Sequence, residues 1–128
     1  MQNRSFTLIE LIVVVSILFI LTAITVPNFR FFQKESDLNN SAEVIINTLR
    51  LAQNKTLASE GASRWGVYFS TSTFPHQYTL FRGGDYFSRA IPSDEIHYLP
   101  KTVEIYEINL NNGGSEIVFE RLVGLTDQ

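Results

Sequence analysis

From Phe6 to Val26 the chain is apolar for 21 residues, and Glu10 is the sole charge among them. A helix rises about 1.5 Å per residue, so such a run spans ~30 Å, the thickness of a bilayer's hydrocarbon core. In lipid every backbone polar group must be satisfied within the protein, and a lone segment achieves that only as a helix. A secretory signal peptide is the first rival, but its apolar stretch is shorter and ends at a small-residue cleavage site. Here "TAITVP" (Thr22 to Pro27) matches such a site poorly. A plain membrane anchor is the simpler alternative. The flanking charges nearly balance, with Arg4 before the run and Arg30 and Lys34 after it, so they do not set orientation.

The helical pattern continues past the apolar run. Pro27 removes one backbone bond, the one to the Ala23 carbonyl, and predicts a kink or a place where the helix can open locally. From Asn28 to Ser59 there is no Gly or Pro. Leu38, Ala42, Ile45, Ile46, Leu49, Ala52, Thr56 and Leu57 recur at helical spacing and form one expected packing face. Asn39, Asn40, Glu43, Asn47, Arg50 and Asn54 fall mainly opposite, so this half is amphipathic. Gly61 is the stop signal. The expectation is one helix of about 50 residues, half in lipid and half packed on a soluble layer.

After Arg64 the period becomes two. "RWGVYFS" sets Trp65, Val67 and Phe69 on one side, and "YTLFR" (Tyr78 to Arg82) is a second strand. "TSTFPHQ" and "GGDYFSRAIPSDE" are loops, marked by Pro75, Gly83, Gly84 and Pro92. "IHYLP" and "TVEIYEINL" (Thr102 to Leu110) read as strands, and "NNGG" (Asn111 to Gly114) as a hairpin turn returning into "SEIVFE". These strands need a cover on one face, which the amphipathic half-helix supplies, giving an α+β class. Beyond Gly124 a further pairing strand is expected, and the chain reads as truncated there, since an open apolar edge invites aggregation.

The net charge of −3 and pI near 5.3 oppose bulk nucleic-acid affinity, and there is no Cys for a disulfide or thiolate metal site. "SDEIH" (Ser93 to His97) gathers two carboxylates and a histidine, but one short loop offers too few ligands, so a solvated turn is expected and no metal. No nucleophile elbow or P-loop spacing occurs, and no catalytic residue is expected. Arg64, Trp65, Arg82, Tyr86 and Arg89 form a conceivable DNA-stacking patch, set against the acidic charge and a Trp65 suited to the core. Asn39 and Asn54 begin glycosylation-type tripeptides, but on a helix.

The segment "RSFTLIELIVVVSILFILTAITVPNF" resembles the N-terminal processing and methylation motif of type IV pilins and type II secretion pseudopilins. The match rests on a short leader with a basic residue (Met1 to Ser5), then Phe6, Thr7, Leu8, Ile9 and Glu10, the apolar run and Pro27. The resemblance implies a pilin-like fold, with residues 1–5 as leader, 6–27 as the transmembrane and filament-core half-helix, and 28–128 as the soluble domain. It implies cleavage between Ser5 and Phe6 by a membrane aspartyl prepilin peptidase on the cytoplasmic side, then methylation of the Phe6 amine. The family usually has Gly before the cut; Ser5 is also small. "SAEVIINTLRLAQNKTLASEG" is similar to H-type minor pseudopilins, through Leu49, Ala52, Gln53 and Ala58.

Glu10 then has two readings. It gains from the positive end of the helix, or it pairs, in a filament core, with the Phe6 amine of a neighbouring subunit. The implied partners are other pilin or pseudopilin subunits, the peptidase and a membrane assembly platform, with no cofactor and no nucleic acid. The implied place is the cytoplasmic membrane, single-pass, with the globular part outside, and then an extracytoplasmic filament. The alternative from another class is a non-polymerising membrane-anchored ligand-binding protein.

Overall fold

The computed structural model describes residues 5–111 and 113–121, and the chain forms two compact units, Met1–Ser36 and Asp37–Gln128. One helix, α1 (Leu8–Leu57), is 50 residues long and contains Pro27. It stops where the sequence supplies left-handed backbone: Ser59 has φ 53° and Gly61 φ 66°. Lys55 in the last turn suits the negative helix end and pairs with Glu60 at 3.1 Å.

In the second unit, the buried side of α1 is Ser41, Ile45, Thr48, Leu49, Ala52 and Thr56. Four of the expected face residues are among them: Ile45, Leu49, Ala52 and Thr56. Leu38, Ala42, Ile46 and Leu57 are instead exposed, and Ser41 and Thr48 take their place. The reason is local. Ser41 Oγ donates to the Asp37 carbonyl (2.6 Å), Thr48 Oγ1 to Val44 (2.9 Å) and Thr56 Oγ1 to Ala52 (2.9 Å). A hydroxyl already bonded to its own helix buries as a small group without an unmet donor. Thr56 Oγ1 also accepts the Trp65 N–H at 3.0 Å, joining the helix end to the first strand.

Four strands follow: β1 (Trp65–Ser70), β2 (Gln77–Arg82), β3 (Glu95–Tyr98) and β4 (Glu116–Phe119). They form one antiparallel sheet in the order β3-β2-β1-β4, with Val67 facing Leu80 on one side and Ile117 on the other. Trp65, Val67, Tyr78 and Leu80 project into the core with Ala52, Leu99 and Val103. The opposite face is covered by the loop from Gly83 to Asp94. Tyr86 stacks on Tyr68 with ring centroids 3.8 Å apart and meets Phe81 edge-on at 5.6 Å. Arg89 lies over Tyr86 at 3.8 Å and pairs with Asp94 at 2.6 Å. The central strands are therefore enclosed on both faces, and the α+β expectation of a helix packed on an antiparallel sheet holds.

One strand expectation is corrected. Residues 102–110 form no strand, and β4 pairs with β1 rather than with them. The Ile105 N–H donates to His76 Nδ1 at 2.8 Å, and Val103 N–H to the Pro100 carbonyl at 2.9 Å. A donor committed to a side chain or a turn is lost to a ladder. The turn chemistry was still legible: Gly113 has φ 68° and its N–H reaches the Leu110 carbonyl at 2.8 Å. The expectations about Met1–Arg4 and about the chain beyond Arg121 lie outside the described residues.

Candidate assembly segment

The first unit is built around a helix start. Ser5, Phe6 and Thr7 are non-helical and exposed, with Phe6 80% accessible. The Thr7 carbonyl accepts the first helical bond, from Leu11 N–H at 3.2 Å, and Thr7 Oγ1 accepts the Glu10 N–H at 3.3 Å. Thr7 is therefore the N-cap and Glu10 stands at the third helical position, the Thr-x-x-Glu spacing of a capping box. That spacing is itself a sequence signal for a helix start at Leu8.

Glu10 lies in the first turn, where the helix field favours a negative charge. Among the described residues it makes no ion pair. The other polar side chains along the run are satisfied locally. Ser16 donates to the Ile12 carbonyl (2.7 Å), Thr22 to Leu18 (2.7 Å) and Thr25 to Leu21 (2.8 Å). The large apolar residues from Phe6 to Val26 are about half exposed or more. Here is a cylinder apolar on every side, its hydroxyls tied inward, with one carboxylate near its start. By length and composition it can cross a membrane. Pro27 sits inside α1, where it has no N–H to give the Ala23 carbonyl.

The other constellations are used up in structure. Asp94 of "SDEIH" holds Arg89, and His97 stacks on Tyr78 with centroids 5.1 Å apart. No group of three His, Cys, Asp or Glu able to hold a metal occurs among the described residues. The basic and aromatic set does not gather into a groove. Trp65 is buried, with its Nε1–H on the Glu60 carbonyl at 3.1 Å and Lys55 over its ring at 4.3 Å. Arg82 donates to the Gly61 carbonyl and to Ser63 Oγ. The hydroxyls of both glycosylation-type tripeptides, Ser41 and Thr56, are buried on α1. The role of His76 as acceptor for Ile105 had no sequence signal, because it joins residues 29 apart.

Residues 1–26 match the family model of the prokaryotic N-terminal methylation motif. The chain is 48% identical over 59 residues to the type IV major pilin protein PilA of Myxococcus xanthus (strain DK1622). The matched stretch is 46% of this chain and spans about a quarter (26%) of that relative. No solved structure matches. Over its N-terminal part the chain is therefore similar to proteins carrying the methylation motif and to a type IV major pilin.

Proposed function

We propose that the chain is a structural subunit of a type IV pilus or a related pseudopilus, assembled through its N-terminal half-helix. One observation carries the reading. The helix is apolar all round and self-satisfied in its hydroxyls, yet holds an acid, Glu10, in its first turn. An apolar cylinder is equally at home in lipid and in a core of like helices, so it can pass from one to the other without exposing that surface to water. A carboxylate entering such a core needs a cation, since an unpaired buried charge is costly.

In this reading residues 1–5 are a leader, 6–27 the membrane and filament-core segment, and 28–128 the outward-facing domain. Hydrolysis adds water across the Ser5–Phe6 amide, leaving a Ser5 carboxylate and a Phe6 amine; the peptidase then moves a methyl group from a sulfonium methyl donor to that amine, the donor leaving as a thioether with release of one proton. The Phe6 amine of one subunit is the cation for Glu10 of the next. Pro27 provides a point where the helix can bend as subunits pack. The partners are further pilin-like subunits, the prepilin peptidase and a membrane platform. Before assembly the chain is a single-pass protein of the cytoplasmic membrane with its N-terminus inside.

Shearing cells and pelleting the released filaments tests this reading. The chain is expected in the sheared filament fraction as well as in membranes. Strict confinement to the membrane fraction, in cells whose filaments are otherwise intact, favours a non-polymerising anchor instead.

A further inference from the structure

Two hydroxyl residues compete to begin α1. Ser5 and Thr7 are both good N-cap types, and Ser is intrinsically at least as good as Thr. The cap is at Thr7, because Glu10 N–H bonds to Thr7 Oγ1 and Leu11 N–H to the Thr7 carbonyl. The consequence falls on the bond between Ser5 and Phe6. With Thr7 as cap, Ser5 and Phe6 keep non-helical backbone. With Ser5 as cap, its carbonyl would accept the Ile9 N–H as the first helical bond, and Phe6 would become the first helical residue. The carbonyl of the Ser5–Phe6 amide would then be turned along the helix and engaged as an acceptor. It would be poorly placed for water to attack or for oxyanion donors to reach.

We propose that Thr7 is a positioning residue for processing, one that starts the helix at Leu8 and so keeps the Ser5–Phe6 amide in the open backbone a peptidase can take. This rests on the reading that cleavage occurs at that bond. It separates two residues three apart. Thr7 governs access to the bond before cleavage, whereas the Glu10 carboxylate acts afterwards, in assembly.

The test is cleavage of the full-length chain in membranes by its peptidase, followed by mass, for wild type, Thr7→Val and Thr7→Ser. Thr7→Val is nearly isosteric and lacks the hydroxyl; Thr7→Ser keeps it. Thr7→Val is expected to be cut roughly fivefold more slowly, which corresponds to loss of a cap that contributes about 1 kcal/mol. Thr7→Ser is expected to be cut at close to the wild-type rate. The backbone of Ser5 and Phe6, read from carbonyl and Cα chemical shifts of the uncleaved chain in micelles, should turn helical in Thr7→Val alone. Equal cleavage of Thr7→Val and wild type overturns the proposal and leaves the processing reading intact. Slow cleavage with no shift toward helix also overturns it, since Thr7 would then be a direct peptidase contact. An uncut wild-type chain removes the processing reading itself, and this inference with it.

Discussion

Glu10→Gln is expected to abolish filaments while leaving membrane insertion and removal of the leader unchanged. The substitution discriminates between the two roles open to this residue. Gln serves as well as Glu at the third position of a capping box, so the helix start survives. What is lost is the charge. Removing one partner of a buried pair leaves the other unpaired and costs about 3–5 kcal/mol, or roughly two to four orders of magnitude in subunit association. Sheared filament yield, normalised to membrane-bound subunit, measures it. Filaments at wild-type yield from Glu10→Gln would show that the acid serves only the helix end, and the intersubunit pair would be wrong.

The second large effect falls on the soluble unit. Gly66 sits in central strand β1, between Phe81 of β2 and Val118 of β4. A Cβ added there would lie 2.7 Å from the Ile117 carbonyl oxygen and 2.8 Å from the Phe81 ring. The ring edge can give; the backbone carbonyl can give only by parting β1 from β4. Overpacking of this kind costs about 1–3 kcal/mol, and backbone displacement places Gly66→Ala near the top of that range. For a unit of this size that is a fall in Tm of roughly 12–24 °C. Thermal unfolding of the full chain in detergent, followed by near-ultraviolet circular dichroism of the aromatic core, checks it. An unchanged Tm would mean that β4 is not held against β1 in this register.

These two sites also mark what was legible in sequence. The apolar run, the amphipathic half-helix and the alternation of Trp65, Val67 and Phe69 are periodic signals, and they foretold α1 and β1. Burial of Ser41 and Thr48 was not legible from apolarity. Their fitness for the interior comes from bonds back to the Asp37 and Val44 carbonyls. The failed strand at 102–110 has the β-branched and aromatic composition of a strand. The His76 imidazole claims its Ile105 donor, a long-range choice that local propensity cannot encode. Gly66 carries no local turn signal either; its necessity appears only once Phe81 and Ile117 are seen above and beside it. At the N-terminus the reverse holds. Thr7 and Glu10 stood three apart in plain view, and the structure supplied the bond between them.

The proposed function turns on processing of the amide between Ser5 and Phe6, just before the cap at Thr7. The most direct test is the mass and sequence of the N-terminus of the chain recovered from its native membrane. The expected result is a chain beginning at Phe6 with a methylated amine. A chain still beginning at Met1 would contradict the proposed processing and, with it, the proposed pairing of Glu10 with a Phe6 amine.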